Sequence, residues 1–220
     1  MQESLIPFRI GKLWGFSDLL KKMIVPPVYT NAFDFEEDAA FIFKDHRKGF
    51  LHSSGKELVP CKYPALFPFR DSLARFQIDN GNYGYLDPSG EEIIAPTFKE
   101  AEDFSEGLAP VSKEIIFGPW GYINTNGKFI IDYEFEKASH FKEGFAAVKR
   151  GKYWGYIDNK GKTKIPFEFD LACDFSEGMA RVQKDKKWGF VDTFGNLILP
   201  FIYDWAGDFR GGIAAVDKNA

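Results

Sequence analysis

The chain has 220 residues with 28 basic against 32 acidic side chains, a net charge of −4 that sets up no field to draw in a polyanion, so nucleic acid is not expected as a partner. Cys61 and Cys173 lie far apart without CxxC spacing, which fits neither a disulfide framework nor a zinc ribbon. No window reaches the roughly 18 apolar residues of a membrane span, and the N-terminus has no basic segment leading into a long apolar one, so the expectation is a soluble, cytoplasmic protein.

In chain order, Trp14-Gly15-Phe16 is the first of six related triplets. Lys48-Gly49-Phe50, Tyr83-Gly84-Tyr85, Trp120-Gly121-Tyr122, Trp154-Gly155-Tyr156 and Trp188-Gly189-Phe190 follow, with glycine spacings of 34, 35, 37, 34 and 34. A second marker keeps the same beat. Phe35, Phe69, Phe104, Phe141, Phe175 and Phe209 each stand three residues after an apolar one, and an acid and a glycine then lead into a small apolar patch, as in Glu177-Gly178-Met179-Ala180. Six units result, around 5–38, 39–72, 73–107, 108–144, 145–178 and 179–217, in a single repeat domain over 1–220.

Within a unit the apolar pattern has period two. Leu108, Pro110 and Ser112 alternate with Ala109, Val111 and Lys113 as a half-buried strand does, and Trp154 to Asp158 has the aromatic and β-branched content of a second strand. Asp158 to Gly161, repeated at Asp87 to Gly90, Asn124 to Gly127 and Asp192 to Gly195, carries turn chemistry. The third strand, as in Lys164-Ile165-Pro166, ends at a Pro, which cannot donate to a ladder and so sits at an edge or strand end. The expected fold is all-β, with about six three-stranded antiparallel meanders, each joined to the next by a loop. They are arranged as an open stacked solenoid or a closed propeller or barrel-like ring. The large rings of the Trp-Gly pairs are read as covering the seam between units, and Gly155 as letting a ring or backbone come close. Trp14, Gly15, Trp120, Gly121, Trp154, Gly155, Trp188 and Gly189 are accordingly structural.

These residues resemble the WG (or KWG) repeat family, found widely in bacterial proteins. The Trp-Gly-Tyr-Ile-Asp core, the turn Gly, the Pro and the Phe-x-Glu-Gly-x-Ala segment recur in order over nearly the whole chain. Units one and two depart from the pattern: Asp18 to Lys21 lacks the turn Gly, Lys48 replaces the aromatic, and His52 replaces the turn Asp. The resemblance implies a repeat scaffold without family-wide catalytic residues or a common ligand.

His46, His52 and His140 occupy non-equivalent places and no Ser has a nucleophile setting, so no catalytic residue, metal or cofactor is assigned. The acids at Glu36, Glu37 and Asp38, at Glu102, Asp103 and Glu106, and at Asp174 and Glu177 fit no calcium-binding loop and are read as turn and loop acids that satisfy backbone N–H groups. Contacts with a partner are sought where one unit spends residues its repeat does not need. These are the basic tip at His46 and Arg47, Phe117 in the insert of the fourth unit, and Trp205, with terminal capping as the other reading of Trp205. The leading expectation is a non-catalytic module that binds a protein. The alternatives are a carbohydrate or cell-wall binding module and an accessory subunit of an enzyme on another chain. Exposed aromatics out of register favour carbohydrate, and the apolar insert favours protein.

Overall fold

The computed structural model describes residues 5–36, 38–115 and 118–218. Among the described residues there are strands and turns and no helix. The chain divides into two compact units, Met1–Thr97 and Phe98–Ala220.

The first unit opens on a sheet of β1 (Ile6–Ile10), β2 (Leu13–Ser17) and β3 (Met23–Tyr29). Two four-stranded sheets follow: β4 (Asn31–Glu36), β5 (Ala39–Lys44), β6 (Arg47–His52) and β7 (Glu57–Tyr63), then β8 (Ala65–Arg70), β9 (Leu73–Gln77), β10 (Tyr83–Leu86) and β11 (Glu92–Phe98). The second unit holds β12 (Glu100–Ala101), β13 (Leu108–Ser112), β14 (Trp120–Asn124) and β15 (Phe129–Phe135) in one sheet. The next contains β16 (Lys137–Ala138), β17 (Ala146–Arg150), β18 (Tyr153–Ile157) and β19 (Thr163–Phe169). Then come β20 (Leu171–Ala172), β21 (Met179–Lys184), β22 (Lys187–Asp192) and β23 (Leu197–Tyr203), and finally the ribbon of β24 (Trp205–Ala206) and β25 (Val216–Asp217). Neighbours within each sheet are consecutive in the chain. The expected three-strand meander acquires a fourth strand, because the linking segment folds back on the next strand as β4 does on β5.

Trp14-Gly15, Trp154-Gly155 and Trp188-Gly189 each face a bulge in the Pro-containing strand of their own sheet, and Trp120-Gly121 faces the same bulge in β15, which has no Pro. Trp154 pairs with Phe169 and Tyr156 with Ile165, so two steps along β18 are matched by four along β19. The extra residues push the backbone of β19 against Gly155, where a Cβ would stand 2.8 Å from the Ile165 carbonyl oxygen. The same carbonyl approach recurs at Gly121 and Gly189, at 2.7 Å in each case. Glycine is therefore required for close backbone approach within one sheet. Pro166 lies in the bulge of an edge strand, so it removes no ladder bond, and β19 continues beyond it to Phe169.

The turn acids bond backbone. Asp158 Oδ1 accepts the N–H groups of Lys160 and Lys162, both at 3.0 Å, and Gly161 adopts φ +80° to close the turn. Gly161 also rests on Ile131 of the preceding sheet, which would lie 3.3 Å from a Cβ. In the first repeat Lys21 takes the left-handed place at φ 66°, while Asp18 Oδ1 still accepts from Leu20 and Lys22. His52 substitutes for the turn Asp through its ring, with Nδ1 accepting Ser54 N–H at 3.0 Å. Lys48 substitutes for the aromatic by placing its ammonium 5.7 Å from the Phe43 ring and 5.8 Å from that of Phe67.

The inner strands β13 and β17 of the second unit are buried on both faces, where the alternation had suggested one. On β17, Ala146 and Val148 pack with Leu108, Tyr122 and Phe141, while Ala147 between them packs with Tyr156, Phe175 and Val182. Small side chains suit this strand because a sheet stands on either side of it. The second marker locks the stack: Phe141 meets Tyr122 edge-on at 4.9 Å, as Phe175 meets Tyr156 and Phe209 meets Phe190 at 5.0 Å. The Tyr122 hydroxyl donates to the Ser139 carbonyl at 2.8 Å and Tyr156 does the same to Cys173 at 2.7 Å, so each ties its sheet to the next.

The Phe-x-Glu-Gly turns are chained to one another. Glu143, itself at φ 54°, accepts the N–H groups of Glu177 and Gly178, and Glu177 in turn accepts those of Gly211 and Gly212 at 2.6 and 2.8 Å. Glu106 accepts from Gly144 at 2.9 Å. These carboxylates satisfy backbone donors, as read from the sequence. Both cysteines are half-buried and unbridged, and burial pushes the Cys61 thiol up to about 11.

Candidate functional site

The first unit contains a cleft of about 470 Å³, flanked by the sheets β4–β7 and β8–β11. Its floor is aromatic. Phe41 on β5 lies 4.5 Å from Phe50 on β6, and Phe50 stacks on Phe69 of β8 at 4.9 Å and 28°. This stacked pair replaces the edge-on contact made by the equivalent rings in the second unit. Phe33 lines the cleft while 49% exposed, with its ring tilted on Phe43. Asp34, Glu36, Asp38, His52, Arg70 and Asp71 add polar groups to the lining.

The local sequence accounts for the opening. Phe50 holds the place of Tyr122 and Tyr156 but has no hydroxyl, so it cannot donate to the next sheet as they do. The first strands here are also longer: β4 and β8 have six residues each, whereas β12, β16 and β20 have two. Phe33 is matched by Phe67 in the next repeat and by Glu102, Ser139 and Cys173 in the three after it, and Phe41 stands where later repeats have Arg75, Pro110, Ala147 and Arg181. Phe41 is not needed by the repeat, and an aromatic at the place of Phe33 is confined to the first unit. Asp38 bonds the Ser53 hydroxyl at 3.2 Å, and Arg70 donates to the Phe69 carbonyl at 3.1 Å. Among the described residues Asp34 and Glu36 have no ion-pair partner.

None of the expected contact residues lines this cleft. His46 sits on the β5–β6 turn, where it and Asp45 have positive φ, and is exposed. Arg47 pairs with Asp79 on the neighbouring hairpin, so part of the basic tip joins two sheets. Trp205 on β24 is 52% exposed. Phe117 lies outside the described residues. Phe33 and Phe41 were missed, although Phe41 breaks register, as does the recognised substitution at His52, and Phe33 is shared with Phe67 alone.

A chain of antiparallel β-sheets with a recurring Trp-Gly bulge, turn and carboxylate clasp is a tandem β-sheet repeat protein. The family model for the WG containing repeat matches residues 14–45, 49–81, 83–114, 120–154, 154–188 and 188–220, and the chain belongs to that family. No curated protein matches the sequence. Among solved structures, Hsv2 from Kluyveromyces marxianus is similar in fold at 11% identity and a TM-score of 0.52, over 99% of this chain and 79% of that one. The computationally designed Ika8 protein matches at 9% identity and a TM-score of 0.42, over 98% of this chain and 93% of that one. BamB from Moraxella catarrhalis matches at 9% and 0.42, over 89% and 66%. Hsv2 and BamB are propeller-like proteins. Among the described residues no helix is long and apolar enough to cross a membrane.

Proposed function

We propose that the chain is a non-catalytic scaffold that holds a protein partner, and that the cleft beside Phe33 and Phe41 is a principal contact. The observation that carries this reading is that Phe33 and Phe41, rings with no aromatic counterpart in the repeats of the second unit, line one recess. The rings support a recess for side chains better than a flat platform, since Phe41 meets Phe50 at 45° and Phe33 meets Phe43 at 48°. The volume lies within the usual range of ligand pockets, about 300 to 1,000 Å³. The basic tip and Trp205 supply further contact surface in this reading, as does Phe117.

The exposed Phe33 favours a second reading, in which the aromatics stack on a sugar. Affinity capture from the native cell separates the two. The parent chain and a Phe33→Ser, Glu36→Lys variant are compared, and any protein recovered is purified and titrated against both. Selective loss of a purified protein's binding, with unchanged melting temperature, is expected. Equal binding by both chains rejects the cleft as the contact.

A further inference from the structure

We infer that the cleft receives a basic peptide segment, with one Lys or Arg side chain laid against Phe33 and Phe41 and its cation facing Asp34 and Glu36. This rests on the proposed reading of the cleft as a protein contact, and it names the chemistry of the segment that enters.

The first unit caps ring after ring with a cation of its own. Arg9 lies 5.9 Å from the Trp14 ring, and Lys62 lies 4.8 Å from that of Tyr63. Lys48 lies between Phe43 and Phe67, and Arg75 sits 4.0 Å from Phe67 and 5.5 Å from Tyr83. The negative face of an aromatic ring attracts a cation, more strongly as water is removed. Among the described residues no cation stands over Phe33 or Phe41, although Phe67, the counterpart of Phe33 in the next repeat, carries two.

The polar lining indicates what completes them. Asp34 and Glu36 line the cleft without an ion-pair partner among the described residues, and the one guanidinium of the lining, that of Arg70, donates to the Phe69 carbonyl. An acidic rim over an aromatic floor favours a cation on an apolar stem, because the stem covers the rings while the head reaches the carboxylates. A carboxylate ligand would meet repulsion there, and a purely apolar one would leave Asp34 and Glu36 without an ion-pair partner. Opposite charge across the contact also selects among proteins that share a fold, since a like-charged segment is rejected outright.

The test uses nitrogen-labelled full-length protein and four peptides of sequence Gly-Ser-Gly-Leu-X-Leu-Gly-Ser-Gly, where X is Arg, Lys, norleucine or Glu. Amide shifts are followed by NMR, with chitohexaose and cellohexaose as oligosaccharide arms. The Arg and Lys peptides are expected to shift amides of residues 33–41 and 69–72, with norleucine weaker by about tenfold and Glu silent. Asp34→Asn with Glu36→Gln, both on exposed positions, should weaken the Lys peptide about tenfold with no change in melting temperature. Norleucine binding as tightly as Lys overturns the basic class and leaves the protein contact standing. Oligosaccharide shifts without peptide shifts overturn both. Shifts from no probe overturn the inference, and the capture experiment then decides the wider reading alone.

Discussion

The carboxylate of Glu143 accepts the backbone N–H of Gly178 at 2.9 Å, 35 residues further along the chain. A second bond, from Glu177 N–H at 2.7 Å, makes the contact bidentate on two consecutive amides. The recurring acid of the Phe-x-Glu-Gly segment is thereby explained: it holds the turn of the following repeat.

Replacing Glu143 with Ala should cost about 1 to 2 kcal/mol, the scale of charge-assisted bonds reduced by solvent exposure. Urea denaturation measures the difference. Glu36→Ala, which removes no bond of this kind, is expected to change stability by less than about 0.5 kcal/mol. Equal effects from the two would dissociate the clasp from stability.

Gly155→Ala should destabilise by about 2 kcal/mol or more, because the intruding Cβ meets backbone on a bulged strand that cannot rotate away. Gly151, at φ +63° with open space around it, serves as the contrast. Its replacement by Ala meets conformational strain alone, about 1 kcal/mol. Thermal melts of the two variants rank them, and the reverse order would contradict the close-approach account.

Trp120 is 6% exposed, whereas Trp154 and Trp188 are half-buried. Truncation to Ala should therefore cost about 3 to 5 kcal/mol at Trp120 and roughly half of that at the other two. Chemical denaturation of the three variants is the measurement, with the graded order as the expected result.

Burial, followed by the charge of Asp174, holds the Tyr122 phenol well above its ordinary value, and burial does the same for Tyr156. Tyr63 is pushed up to about 12 by burial and by its bond to Glu92. Each raised value favours the protonated form in the folded chain. The stability they contribute is fully present below the unfolded value near 10 and is lost as pH rises beyond it. Urea midpoints between pH 7 and 11 should be insensitive to these groups at first and then fall. Tyr122→Phe with Tyr156→Phe should flatten the fall while lowering stability at pH 7 by about 1 kcal/mol per lost hydrogen bond.

The repeat was legible because six copies of one solution share a spacing, and the Gly, Pro and turn Asp each have a narrow chemical meaning. The bulge was not legible, since a period-two pattern carries no sign that four residues of β19 oppose two of β18. The fourth strand was missed for a related reason: two-residue strands such as β16 are too short to show alternation. At the cleft, the sequence displayed Phe33, Phe41 and His52 as departures but not their convergence, which depends on how β4, β5 and β6 face β8. Looking for residues the repeat does not need was a usable criterion, but it was applied to hairpin tips and the insert, where Arg47 proved to be paired with Asp79.

The two-sided burial of β17 also bears on how such a chain diversifies. Ala146, Ala147 and Val148 face packed neighbours in both directions, so a substitution there is felt as a change in the frame before any partner can sense it. The side chains free to vary without disturbing that frame lie on first strands, hairpin tips and the rims they form. Two chains with the same frame can thus present unrelated surfaces, and a new specificity can arise from three or four exchanges at places such as 33, 41 and 52 while every inter-sheet tie stays as it was.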